Sequence, residues 1–296
     1  MVPLMQKTIS IISLTILFMF SAMTYAEFEL PMSVIQRNIE AYNNFLKEKN
    51  KSVLEITNLE SEFSNRNVAC MVIIMQALNL GGFPAKLEMV SAPNAAREVA
   101  MTRTGAVAIM HQDIWIEPEF SEFFFISPTI IPNGNFVKGI YTLDSNKEML
   151  KVRSIEDLKS FSATHSPQWY VGWNTLSRIG LKGLHSAPKK EFMFNQVLYR
   201  GVDFTIQEFT SLPDMSYEFA DGKRLVPVPN VKIALDGVRS FIVSKKHKLG
   251  EKIYTALKIG LVAMKKEGTI ERFLTESGFY KKEVEDWKTL RVGLSK

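Results

Sequence analysis

The sequence predicts an α/β fold built on parallel strands, and three observations lead there. Short runs rich in β-branched and aromatic residues alternate with longer runs that carry apolar residues at helical spacing. The alternation is lost briefly at PNGN and then resumes, so a second α/β unit is expected over about 137–236. No internal repeat or low-complexity linker interrupts it.

Taken in order, SVLEIT (52–57) reads as a strand and NVACMVIIMQALNLGG (67–82) as a nearly all-apolar helix that ends on glycines. AKLEMV (85–90) is the next strand, Asn94 is placed to cap a helix over AAREVAMTRTG, and AVAIM (106–110) is a third strand. Strand, helix, strand, helix, strand is one half of a doubly wound sheet, whose ligands gather at the carboxyl ends of the strands. After FFFISPTI (123–130), FVKGIYTL (136–143) is strand-like, and SIED, with Ser154 and Asp157, resembles a capping box ahead of a helix. QWYVGW (168–173) reads as a strand, NTLSRIGLKG as a short helix closing on glycine, and KEFMFNQVLYRG as a helix leading into a strand over 202–206. That last strand runs straight into an acid, Glu208. GVRSFIVSK (237–245) is strand-like, and the next segment aligns Leu249, Ile253, Leu257, Leu261 and Met264 in one apolar helical stripe. Gly268 stops that helix, and TIERFLTESGFY makes another short one.

The first residues bear on location. A single charge, Lys7, precedes the apolar run TISIISLTILFMF and then SAMTYA, with small residues at Thr24 and Ala26, which is the arrangement of a secretory signal peptide cleaved after Ala26. The apolar run falls short of the roughly 20 residues that span a bilayer. The mature chain is expected to begin at Glu27 in the periplasm as a monomer. Cys70 is the only cysteine, so no intramolecular disulfide can form and the core alone must hold the fold. The formal charge is +5, and Lys-rich segments such as KKHKLGEK and MKKEG read as solvated helix faces. Nucleic-acid binding has no support in the form of an arginine stripe or module signature. The four histidines, His111, His165, His185 and His247, are scattered away from metal-ligand spacing, and no GxSxG, HExxH, Walker or GxGxxG motif is present, so neither an enzyme nor a metal or cofactor is expected.

The order of elements and several local runs resemble the type II periplasmic solute-binding proteins, in particular the amino-acid-binding group, extracellular solute-binding protein family 3. The resemblance is carried by FIVSKKHKLGEKIYTALKIGLVAMKKEGTIERFL, SIEDLKSF, YRGVDF and EPEFSEFFFISPT, spread over most of the mature chain. It implies a type II two-lobed fold with a central cleft and two crossing strands, lobe 1 comprising 27–136 and 237–296 and lobe 2 comprising 137–236. It implies that a small molecule is captured between lobes that close by hinge bending, with delivery to the membrane permease of an ABC-type importer. A periplasmic sensory module signalling to a membrane protein, or a degenerate binding protein acting through a protein partner, is the alternative.

The resemblance also implies a site. Counting five positions beyond Asp203 of the YRGVDF run, Glu208 stands where the family pairs the ligand's ammonium; read from the residues alone, it is equally a surface acid past a strand end. Where the family places an arginine that clamps the ligand carboxylate, this chain has Phe120, which favours an amine-bearing ligand without a carboxylate. Trp173 ends the expected strand and Trp115 follows the third strand and His111; each also reads as a core residue, but with Phe120 and Glu208 they make an expected aromatic box for a cation, while Asn174 and Thr175 at the expected helix start can hold an acceptor or anion. His111 and Ser127 of the ISPT run join the ligand-binding set.

Overall fold

The computed structural model describes residues 28–293. The expected signal peptide and the cleavage after Ala26 lie outside the described residues.

Two sheets organise the chain. The first takes strands β1 (Phe28–Ile35), β2 (Ala85–Ala92), β3 (Ile109–Met110), β5 (Phe124–Ile126) and β14 (Ile242–Ser244), in the order β2-β1-β3-β14-β5. β1 runs parallel to both β2 and β3, whereas β14 is antiparallel to β3 and β5. Helices α1 (Gln36–Lys49), α2 (Arg66–Leu80), α3 (Ala95–Thr104), α8 (Gly250–Lys266) and α9 (Thr269–Glu276) belong with this sheet in the order of the chain. The second sheet takes β6 (Phe136–Leu143), β7 (Ser162–His165), β8 (Gly183–Ser186), β9 (Phe204–Gln207), β10 (Tyr217–Glu218) and β11 (Arg224–Pro227), in the order β10-β11-β6-β9-β7-β8. Its helices are α5 (Ile155–Leu158), α6 (Tyr170–Ser177) and α7 (Lys190–Tyr199). The start of β6 pairs antiparallel with β12 (Val231–Leu235), which in turn pairs parallel with β15 (Lys288–Leu290). A small ribbon pairs β4 (Ile114–Trp115) antiparallel with β13 (Arg239–Ser240), and the single turn α4 (Phe120–Phe123) leads into β5.

The core explains the strongest sequence signals. In α2 the Asn65 side chain accepts the N–H groups of Asn67 and Val68, which starts the helix, and every residue from Val68 to Met75 is buried. α8 lays Ile253, Leu257, Leu261 and Met264 against it. Two glycines let these helices touch backbone to backbone: a Cβ on Gly260 would stand 1.9 Å from the Ala77 carbonyl oxygen, and one on Gly81 would stand 2.0 Å from that of Ala256. Asn94 caps α3 through the Arg97 N–H, and Ser154 caps α5 through that of Asp157, both as the sequence predicts.

Several expected elements are different. SVLEIT is not a strand: the Glu55 carboxylate accepts the Ser52 N–H at 3.0 Å and the Ser52 hydroxyl accepts that of Leu54, and this capping box winds Val53–Glu55 into one 3₁₀ turn. The strand that belongs at that point in the order is β1. AVAIM contributes only Ile109–Met110, and GVRSFIVSK divides into β13 and β14. QWYVGW is the first part of α6 and not a strand, with the Trp173 N–H bonded to the Trp169 carbonyl at 3.1 Å. The strand preference of Trp, Tyr and Val yields here to tertiary contact. α6 packs down on the end of β7, where a Cβ on Gly172 would stand 2.2 Å from His165 Nε2.

Candidate functional site

A cluster of polar residues draws on segments far apart in sequence. Asp113, on the turn after β3, is fully buried and accepts from three sides. Its Oδ1 takes Arg66 Nη1 at the head of α2 and Cys70 Sγ at 3.3 Å; its Oδ2 takes Arg239 Nε, and Arg239 Nη2 donates to its carbonyl. Burial alone would push the Asp113 carboxyl up, but the charges of Arg239 and Arg66 and their hydrogen bonds overcome it and hold the group well below the usual carboxylate range. Burial, reinforced by Asp113, pushes the Cys70 thiol up, which makes it an inert packing group. Both guanidinium groups also lie against aromatic rings. Arg239 is 4.8 Å from the Trp115 centroid and 5.1 Å from that of Phe136, and Arg66 is 5.6 Å from Phe136 and from Phe279.

Two residues along β6 from Phe136 comes Lys138, only 8 % exposed. Its amine lies 5.5 Å from the Trp169 centroid and has no hydrogen-bond or ion-pair partner among the described residues. Burial lowers its pKa to about 8, helped by Lys190, Arg239 and Arg66 and opposed by Glu208. Trp169, immediately before α6, also packs edge-on against His165 at 5.6 Å between centroids. His165 is fully buried with neither ring nitrogen hydrogen-bonded, and burial together with the Lys138 charge pushes it down to about 3, so it is neutral. The buried hydroxyls of Thr164 and Ser166, on either side of it, are unpartnered as well. On α7, Lys190 donates to the Tyr217 hydroxyl at 3.1 Å, and that hydroxyl donates to the Glu208 carbonyl at 2.7 Å. The exposed Glu208 carboxylate acts on four cations, Arg66, Lys138, Lys190 and Arg239. With Asp113 the group holds four cations and two carboxylates, a net positive interior.

The sequence-predicted residues divide on this geometry. Glu208 and Trp115 stand within the cluster, but as neighbours of the protein's own cations: Arg239 already covers the Trp115 ring, so the expected aromatic box for a foreign cation does not form. Trp173, Asn174 and Thr175 lie in the middle of α6 and not at its start. Thr175 is buried with its hydroxyl on the Val171 carbonyl, Asn174 is exposed, and the helix begins at Trp169 and Tyr170. Phe120 packs edge-on against Phe124 in a small apolar cluster with Met110 and Ile242. His111 is fully buried, its Nδ1 2.6 Å from a Glu98 carboxylate oxygen and its Nε2 2.7 Å from Asn38 Nδ2, so it is spent on the interior of the fold. Ser127 is also a structural tie, accepting the Phe241 N–H at 3.0 Å and donating to the Pro128 carbonyl. Sequence reasoning missed Arg66, Asp113, Lys138 and Arg239. Of these only Lys138 carried a local signal, as a lysine in the otherwise apolar strand FVKGIYTL.

Two surface hollows, of about 470 and 540 Å³, flank Phe28 and lie away from this cluster. Among the described residues no group of three His, Cys, Asp or Glu is placed to hold a metal, and no helix is long and apolar enough to cross a membrane.

No protein-family profile and no curated protein sequence matches the chain. Solved structures do. The periplasmic VFT2 domain of BvgS from Bordetella pertussis superposes with a TM-score of 0.53 at 12 % identity, covering 85 % of this chain and 93 % of that one. The ancestral amino acid-binding protein described as a precursor of cyclohexadienyl dehydratase gives 0.51 at 13 %, covering 86 % and 96 %. The chain has the two-lobed periplasmic binding protein fold. The second substrate binding domain of a putative amino acid ABC transporter from Streptococcus pneumoniae shows the same likeness at 0.50 and 11 %, covering 85 % and 99 %.

Proposed function

We propose that this chain is a periplasmic solute-binding protein that closes its lobes over a small ligand carrying an anionic group and delivers it to an ABC-type importer. Lobe 1 would comprise 27–136 and 237–296, and lobe 2 the residues between. The observation that carries the reading is Lys138, a nearly buried ammonium with no hydrogen-bond acceptor among the described residues. Burying an unpaired charge is costly, and a carboxylate or similar acceptor arriving with the ligand removes that cost. The net positive cleft draws such a group in, and Glu208 remains exposed for an ammonium where the ligand has one. The function is recognition and closure rather than turnover.

A thermal-shift panel of small carboxylates, amino acids, amines and quaternary ammonium compounds tests this, since ligand at about 100 times its Kd stabilises the fold by roughly 2.7 kcal/mol. Compounds with a carboxylate should raise the melting temperature. A response confined to cations without an anionic group would refute the reading. The likeness to the BvgS domain supports a second reading, a sensory module that hands its closed state to a membrane protein. A panel without any response, together with a specific membrane-protein crosslink in the cell, would favour that alternative.

A further inference from the structure

Lys138 differs from the other cations of the cleft in what its charged end touches. Arg66 and Arg239 are committed to Asp113, and Lys190 to the Tyr217 hydroxyl. Among the described residues the Lys138 amine makes no hydrogen bond or ion pair; it lies 5.5 Å from the Trp169 centroid and is acted on by the charge of Glu208. Desolvation by the surrounding protein and the like charges of Lys190, Arg239 and Arg66 both favour its neutral form. With a pKa of about 8, roughly one molecule in ten carries a free amine at pH 7, against about one in a thousand or fewer for a solvated lysine. A desolvated amine beside other cations is the setting in which lysine acts as a nucleophile toward carbonyl carbon.

We propose, on the basis of the anion-receiving cleft described above, that Lys138 captures the carbonyl of a small keto acid or aldehyde acid as a reversible imine. The ligand's carboxylate is drawn in by the excess positive charge, which leaves its carbonyl carbon for Lys138 Nζ. The ammonium first releases a proton to solvent. The nitrogen lone pair then adds to the carbonyl carbon while the C=O π pair moves to oxygen, and a proton passes from nitrogen to that oxygen to give the carbinolamine. A proton taken back from solvent protonates the hydroxyl, the C–O bond breaks, and water leaves as the nitrogen lone pair forms C=N. The balance is one ammonium and one carbonyl giving one iminium and one water, with the solvent proton restored, and hydrolysis reverses it. The outcome is covalent retention of the ligand rather than its consumption.

The test uses the full chain with pyruvate or glyoxylate and sodium cyanoborohydride near pH 7.5, followed by peptide mass mapping. One reductively fixed adduct on the peptide containing Lys138 is expected, in excess over the exposed Lys252 and Lys258. Lys138→Arg, which keeps the charge but loses the nucleophile, should remove it, and Lys138→Gln serves where the arginine variant fails to fold. No adduct on Lys138 in the wild-type protein, or labelling no greater than at Lys252 and Lys258, overturns the proposal. Lactate, which has the same carboxylate and no carbonyl, separates the two readings. If lactate raises the melting temperature while Lys138 stays unlabelled, the anion-binding cleft stands and the imine falls. If lactate and pyruvate both leave the melting temperature unchanged and no adduct forms, both fall.

Discussion

Replacing Lys138 with methionine should make the empty protein more stable while removing its response to ligand. Methionine keeps the length and apolar stem of the side chain, and what it removes is a charge held in a poorly solvated place. The lowering of the amine pKa from 10.5 to about 8 corresponds to about 3 kcal/mol by which the fold disfavours the ammonium at neutral pH. For a chain of this size that is worth roughly 5 to 10 °C in Tm. The pH dependence follows in sign. The folded amine releases its proton near pH 8 and the unfolded one near 10.5, so between those values the unfolded state binds more protons and wild-type stability gains with rising pH from this group. Below pH 8 the penalty is fully present, and the variant should lack this alkaline gain. A bound anion restores the ammonium, so wild-type affinity should fall as pH rises above about 8. Thermal melts at pH 6 to 10, with and without a carboxylate that stabilises the wild type, measure all of this. A Lys138→Met protein less stable than the wild type at pH 7, or one that keeps the full ligand shift, would refute the reasoning.

Two further substitutions probe the surroundings. Asp113→Asn leaves two buried guanidinium groups without their counter-charge and should cost about 3 to 5 kcal/mol in urea unfolding at neutral pH. Because the folded Asp113 carboxyl is held below its ordinary value, its contribution is present above the unfolded pKa near 4 and lost as pH falls through the folded value, so the variant should lack that part of the acid limb. Gly260→Ala forces a methyl to within 1.9 Å of the Ala77 carbonyl oxygen and must push α8 off α2; a loss of about 2 kcal/mol or more is expected, and a melt unchanged within 1 °C would show that the helices slide freely.

How much of this was legible depended on whether a segment's own neighbours decided its structure. α2, α7, α8 and the caps at Asn94 and Ser154 are local facts, written in helical spacing and in side chains that reach backbone two or three residues away. β1 is hard to read because FELPMSVI lacks clean alternation, and α1 because a polar helix with only Asn38, Tyr42 and Phe45 buried carries a weak stripe. QWYVGW misled because its residues prefer strands in isolation, whereas the close seat of Gly172 on His165 is a contact that no window of six residues contains. The site was the least legible part. Asp113 meets Arg66 across 47 positions and Arg239 across 126, and an ion cluster assembled at those separations leaves no motif to find. The resemblance drew attention to Glu208, but the cations its charge acts on come from β6, β13, α7 and the head of α2, and none of the local runs announces them.

The strand order has a consequence for how the molecule comes into being. β14, residues 242–244, is the strand that joins β3 to β5 in the first sheet, and β15, residues 288–290, completes the edge beside β12. Both follow the other strands of their sheets in the chain, so neither sheet can be completed until those strands have been made. Contacts closed over such long stretches of chain form slowly. For a polypeptide expected to be threaded across a membrane before it folds, this delay is useful: the nascent chain lacks the strands that would lock it prematurely, and folding to completion falls after passage.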